Sequence, residues 1–522
     1  MRHLIIHLFL LLSAFHIYQF ACVASAALPN VVLINADDLG FGDTSCYGAR
    51  LVRTPHIDRL AREGRRFTDA HSASAVCSPS RYGLLTGRYP HRDNFWGPIS
   101  PKQGLTIDPS LPTLPKLFQD SGYDTAIVGK WHLGFGSDEP NWNGDLKPGP
   151  LELGFDSYFG IPAVNSGPPF VYVENHRVIG LDPADPFEFG KESVTRKIPE
   201  KGGYKNIGGA DAAHRLYVDE EIGTTFAKRA VEWIHDRDAE TPFFLYLATT
   251  NIHHPFTPAP PFVGASDCGL YGDFIHELDW MVGQVLDAIE QTDSADNTLV
   301  IVTSDNGGML HVTGQEAWQM GHRSNGKLLG YKFGAWEGGH RVPFIARWPG
   351  KIPPNTTSDY LLSQIDLFAT CAAILGKSVD STSEIDSLNQ LETLTGDPGK
   401  SIRQSLVITP NSPKHLSYRK GDWVYIPQQG SGGFQGKKPG DHLLAGPAAL
   451  EFGGRINSDV KEGKIRPGAP IAQLYDLAND PYQANNVYAQ NPELVKALEQ
   501  ELQTYRAQIP TQSPIGWINL KQ

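Results

Sequence analysis

The sequence predicts an α/β protein: a large mixed, mostly parallel sheet sandwiched by helices, then a smaller C-terminal α+β domain built on an antiparallel sheet. Three observations carry this. Apolar runs at residues 31–35, 125–128, 243–248 and 299–303 are continuous rather than alternating, as in strands covered on both faces. Helical spacing lies between them, in residues 224–236 and at Phe274, Ile275, Leu278, Met281, Val282, Val285 and Ile289 within 271–292. Near the C-terminus, "HLSYRKGDWVYIPQ" reads as a hairpin and 491–508 as a helix opening at Asn491-Pro492.

In chain order, residues 1–27 read as a secretory signal. Arg2 and His3 precede an apolar run at 4–12, and Ala24-Ser25-Ala26 fits the cleavage rule. A secreted or periplasmic protein is therefore expected, with no membrane span once the signal is removed. Residues 28–375 form the expected catalytic domain and 376–522 the smaller one, since 522 residues exceed one ordinary core. The Ser-, Asp- and Gly-rich stretch 375–405 reads as a linker or surface excursion, and 428–440 as a mobile loop. A net charge of −12 gives no basic footprint for nucleic acid. An anionic substrate would need a local positive pocket. Cys46, Cys77, Cys268 and Cys371 are no disulfide framework; one bridge is allowed, without assignable partners. Asn355-Thr356-Thr357 is a glycosylation sequon or a surface turn.

The polar residues at the end of each apolar run are more telling than the run itself. Asp37 and Asp38 close the first, Lys130 and His132 the second, His253 and His254 the third, Asp305 and Asn306 the fourth. Ligands of open α/β sheets bind beyond the carboxyl ends of the strands, so these groups define one candidate site. Asp37, Asp38, Asp305 and Asn306 offer only oxygen, which suits Ca²⁺ or Mg²⁺ rather than zinc. In "AVCSPSRYGLLTGR", Pro79 and the spacing of Tyr82, Leu84 and Leu85 predict a helix beginning near Ser78. Cys77 then faces the positive end of its dipole, with Arg81 one turn in. A thiolate nucleophile would suit that place, but a thiolate and a hard cation are poor partners.

Cys77-Ser78-Pro79-Ser80-Arg81 with Leu85-Thr86-Gly87 resembles the C-x-P-x-R…T-G signature of the sulfatases, in the alkaline phosphatase superfamily. "ADDLG", "GKWHLG", the H-x-P at His253, "SDNGG", Lys332 before "WEGGHRVP", and "LYDLANDPYQANNV" stand in the family's order. The resemblance is to arylsulfatase A-like enzymes. It implies conversion of Cys77 to formylglycine by a maturase that reads the motif before folding. It also implies hydrolysis of a sulfate ester by the aldehyde hydrate, on a sulfated glycan or small molecule. One Ca²⁺ would be held by Asp37, Asp38, Asp305, Asn306 and the modified Cys77. Arg81 would stabilise the hydrate, Lys130 and Lys332 bind sulfate oxygens, His132 position the diol, and His253 protonate the leaving oxygen. Lys327 competes with Lys332, and His254 with His253. His340 reads as packing or rim. Where family members place a polar sulfate contact after "GIP", this chain has Ala163-Val164-Asn165, leaving Asn165 as candidate. A phosphodiesterase or phosphonate hydrolase on the same site, and a non-catalytic binder of sulfated glycans, are the alternatives. Specificity is expected in loops 134–150, 163–215 and 425–470.

Overall fold

The continuous apolar runs become the centre of a ten-stranded sheet in a computed structural model, which describes residues 27–191, 207–379, 384–513 and 515–518. Residues 1–26 of the expected signal lie outside the described residues. In chain order the strands are β1 (Asn30–Ala36), β2 (Arg65–Phe67), β3 (Asp124–Lys130), β4 (Ser157–Ile161), β5 (Val173–Glu174), β6 (Arg177–Val178), β7 (Phe243–Ala248), β8 (Thr298–Ser304), β9 (Phe344–Arg347) and β10 (Thr356–Ser358). Across the sheet they lie β10-β2-β9-β8-β1-β7-β3-β4-β5-β6. The stretch β8-β1-β7-β3-β4 is parallel throughout. Antiparallel pairing enters at β9 on one side and at β5 and β6 on the other.

Alternate residues of the parallel strands serve opposite faces. Val31, Leu33, Phe244 and Tyr246 pack with Leu84 and Leu85 of helix α2 (Cys77–Thr86), which comes after α1 (Pro55–Glu63). Val32, Ile34, Leu245 and Leu247 pack on Phe226 and Ile234 of α3 (Ile222–His235) and on Met281, Val285 and Ile289 of α4 (Gly269–Glu290). Each fully buried aliphatic side chain contributes roughly 1.5–3 kcal/mol, so a sheet covered on both faces is the stable use of strands apolar at every position. Both expected helices, 224–236 and 271–292, are present within two residues of their limits.

Downstream, β11 (Ser405–Ile408), β12 (Ser417–Lys420), β13 (Trp423–Ile426) and β14 (Gln473–Asp476) form an antiparallel sheet. The expected hairpin is β12–β13. Helix α5 (Pro492–Arg506) lays Val495, Leu498 and Leu502 on this sheet, and the same apolar cluster takes in Trp96, Trp336 and Ile365.

Three expectations are revised or refined. Cys46, Cys268 and Cys371 are all free thiols. Within the described part of 375–405 the surface excursion is pinned to the body of the fold: Arg403 binds buried Asp366, and Asp386 binds Arg92. The middle of 428–440 is not an exposed loop, for Ser431 and Phe434 are buried, with the Phe434 ring 4.7 Å from that of Phe333. Asn355 sits exposed at a left-handed φ of 54°, the surface turn read from sequence. Among the described residues no helix is long and apolar enough to cross a membrane.

Candidate active site

Parallel strands end at one edge of the sheet, and that edge gathers the expected residues into one buried cluster. β1 ends at Asp37 and Asp38, the latter at φ 63°; β8 ends at Asp305 and Asn306. β3 delivers Lys130 and, beyond it, His132. Gly129 precedes them because β3 passes close to β7: a Cβ there would lie 1.9 Å from the Ala248 carbonyl oxygen. α2 begins at Cys77, one residue before the expected start, and no side chain caps it. An uncapped helix N-terminus favours an oxyanion. Lys332 is buried here, whereas Lys327 is exposed beneath the Tyr482 ring.

Three carboxylates meet three cations. Lys130 Nζ donates to Asp37 Oδ2 at 2.6 Å, and Lys332 Nζ to Asp38 Oδ1. Arg81 donates from Nε to Asp305 Oδ2 at 3.0 Å and pairs with it through Nη2 at 2.8 Å. Its Nη1 donates to the Lys130 carbonyl at 3.1 Å, tying helix to strand. Burial opposes the charges of Arg81 and Lys332, but the neighbouring carboxylates overcome it and raise both above their ordinary values. Burial raises Asp305, aided by Asp37 and countered by Arg81. It also raises the Cys77 thiol, although Lys332 and Lys130 pull the other way. An unmodified Cys77 is thus held as a thiol, which weakens the thiolate reading.

Asp37 Oδ1, Asp38 Oδ2 and Asn306 Oδ1 are buried and have no hydrogen-bond partner among the described residues. A hard cation on these oxygens would satisfy all three, so the donor set fits Ca²⁺ or Mg²⁺. Asn306 Nδ2 donates to Asp38 Oδ1 at 2.8 Å, and the Asp38 amide to Asp305 Oδ1 at 3.2 Å. These bonds hold the four residues in register.

His253 is brought against this cluster; a ring nitrogen lies within 4.8 Å of ligating oxygens of Asp37 and Asp38. Its Nδ1 is 2.7 Å from the His254 carbonyl oxygen, which can only accept. Nδ1 therefore carries the hydrogen, and Nε2 is left for chemistry. Asn165 spans the residue, its Nδ2 donating to the His253 carbonyl and its Oδ1 lying 3.1 Å from Nδ1. Asn165 thus binds His253 at both its carbonyl and its ring, which gives Asn165 a positioning role towards that histidine. Burial holds His132, His253 and His254 well below the usual histidine range. Lys130 and Lys332 depress all three further, as does Arg81 at His132 and the neighbouring imidazoles at the other two. His340 is fully packed, its Nδ1 2.9 Å from that of His71.

Sequence reasoning missed the layer behind. Asp43 accepts from Gly40 N at 2.6 Å and Tyr271 OH at 2.9 Å and meets His322 at 2.6 Å, bracing the turn after β1. The Asp37 amide donates to the Asn251 carbonyl at 2.9 Å, and Asn251 Nδ2 to Glu277 Oε2 at 3.1 Å. Burial, opposed by Asn251, pushes Glu277 up to about 7. A carboxyl raised in the folded state contributes its full stability below the unfolded value and loses it as pH rises through 7. Glu277→Gln should therefore remove a stability decline between pH 5 and 8 of at most about 3 kcal/mol. Urea midpoints of both proteins across that window measure it; parallel pH profiles would reject the assignment.

A family model described as Sulfatase matches residues 29–377. An N-acetylgalactosamine-6-O-sulfatase of Bacteroides thetaiotaomicron is 38% identical over 505 residues, covering 92% of this chain and 93% of its own. The human N-acetylgalactosamine-6-sulfatase is 36% identical over 374 residues, 70% of this chain and 66% of its own. A solved structure from Bacteroides thetaiotaomicron, described under the metabolism of multiple glycosaminoglycans, superposes with a TM-score of 0.80 at 36% identity. It covers 92% of this chain and 99% of that one.

Proposed function

The chain belongs to the sulfatase family of the alkaline phosphatase superfamily, and from that premise we propose that it removes 6-O-sulfate from N-acetylgalactosamine residues of sulfated glycans. The near-full-length similarity to an N-acetylgalactosamine-6-O-sulfatase carries this reading. In it, Cys77 is converted to formylglycine by a maturase, and its hydrate supplies the hydroxyl that attacks sulfur. Asp37, Asp38, Asp305 and Asn306 would hold Ca²⁺, which would supply positive charge for the sulfate oxygens when bound. The export signal read at residues 1–27 makes the enzyme secreted or periplasmic.

The chain's own groups divide the remaining work. Arg81 and the α2 N-terminus stabilise negative charge at residue 77. Lys130 and Lys332 turn to sulfate oxygens as point charges. His132, kept neutral by its surroundings, accepts the proton of the residue-77 hydroxyl. His253, its Nδ1–H already given to the His254 carbonyl, takes up a second proton on Nε2 and gives that one to the departing sugar oxygen. The same ammonium groups that depress His253 are offset once an anionic sulfate lies between them, so substrate binding arms the acid.

Sulfate release from N-acetylgalactosamine 6-sulfate, its 4-sulfate isomer, glucosamine 6-sulfate and a phosphate diester tests the substrate. The first should be turned over fastest; faster turnover of the 4-sulfate or of the diester would replace the reading. On the sugar sulfate, His253→Ala should lose about 10²–10⁴ in kcat/KM. An activated aryl sulfate, whose phenol leaves unprotonated, should lose far less. His254→Ala should affect both substrates alike; the reverse pattern would exchange the two roles.

A further inference from the structure

Beside His253 lies a second cluster of histidines, to which the steps above assign no role. His254 lies beyond β7, His311 beyond β8, and His442 comes from the loop before the short helix Pro447–Phe452. One ring nitrogen from each lies within 4.8 Å of the others. His311 Nε2 and His442 Nε2 are 3.2 Å apart. The rings crowd together, with centroids 3.9 Å apart for His311–His442, 4.7 Å for His254–His311 and 4.8 Å for His254–His442. Nδ1 of His254 and Nδ1 of His311 are buried and have no hydrogen-bond partner among the described residues.

The loops that bring these rings together are clamped. The Leu444 amide donates to the Leu310 carbonyl at 3.0 Å. Gln315 donates to the Leu310 and Asp441 carbonyls, at 3.2 and 3.0 Å, and accepts from the Gly440 amide at 2.7 Å. The chain beside His311 and on both sides of His442 is thus fixed by hydrogen bonds that do not depend on any attraction between the rings. Burial falls outward from His254 to exposed His442, so the cluster opens towards solvent.

We propose that His254, His311 and His442 form a binding site for one divalent transition metal ion, zinc above all, with a fourth position open to water or an oxygen donor. Three imidazoles with one open position are a common zinc arrangement, and two nitrogens at about 2.0–2.1 Å from a tetrahedral zinc lie about 3.3 Å apart. The observed 3.2 Å separation matches. Imidazole selects zinc, copper or nickel over calcium and magnesium, so the site is chemically distinct from the all-oxygen one. It stands whether or not the substrate assignment above holds.

Untagged, chelator-treated full-length enzyme titrated with Co²⁺ alone tests it by visible absorption. One equivalent should give the intense band of a four- or five-coordinate nitrogen site, which an octahedral oxygen site does not give, and Zn²⁺ should abolish it. His442→Ala, at an exposed position, should weaken Co²⁺ binding by roughly 100-fold, as should His311→Ala. Absence of the band in wild-type enzyme, or an unchanged band in His442→Ala, overturns the site. A variant that only raises KM for a sugar sulfate, with no Co²⁺ band in the parent, makes the cluster a sugar contact and also overturns it.

Discussion

Cys77→Ala should abolish sulfate release, with a loss of about 10⁶ in kcat, the scale seen when a hydrolase loses its nucleophile. The fold should survive. Cys77 is buried in a small apolar group with Val76, Met309, Phe333 and Phe434, and removing one sulfur there leaves a cavity worth only about 1 kcal/mol. Cys77→Ser should be nearly as inactive, because one hydroxyl cannot both attack sulfur and expel sulfate from a diol. The parent enzyme supplies the decisive control. Mass analysis of the tryptic peptide containing residue 77 should find the aldehyde in active protein from a competent host. A fully active preparation with an intact thiol would end the formylglycine reading.

Asp305→Ala should be the most damaging change among the carboxylates, because it acts twice. It removes a ligand from the oxygen cluster, so calcium content and activity should fall together. It also strands Arg81, 1% exposed and paired to Asp305 at 2.8 Å, and an uncompensated buried charge costs roughly 3–5 kcal/mol. Metal analysis and chemical denaturation separate the two effects. Asp305→Asn, which keeps the shape, should lose activity with a smaller stability loss. Normal turnover in either variant, or stoichiometric zinc on these oxygens in the parent, would refute the calcium assignment.

Much of the site is legible in the sequence because parallel strands convert sequence position into spatial position. A polar pair directly after a buried apolar run must lie at the strand's carboxyl end, so Asp37, Asp38, Lys130, Asp305 and Asn306 group together on sequence grounds. The helix at Cys77 is readable from its proline and apolar spacing. Contacts that depend on loop return are not. Asn165 reaches His253 across 88 residues and Asp43 reaches His322 across 279. No local pattern encodes either distance. Nor does the Gly- and Gln-rich composition of 428–440 reveal that Phe434 closes against Phe333; composition reports backbone freedom, and here tertiary packing overrides it. The histidine cluster is hidden for the same reason, since His254, His311 and His442 meet only through two loop closures.

The equal match of Asp37, Asp38 and Asp305 with Lys130, Lys332 and Arg81 bears on how the enzyme is put together. A pocket of three bare carboxylates would repel itself and would need its ion during folding. Here Lys130 and Lys332 are each seated on an oxygen of Asp37 or Asp38. Each buried carboxylate is thus offset by a cation of the polypeptide itself. Loss of any one of the three cations would leave its carboxylate partner uncompensated in the interior, so these side chains are committed to the fold as well as to the site.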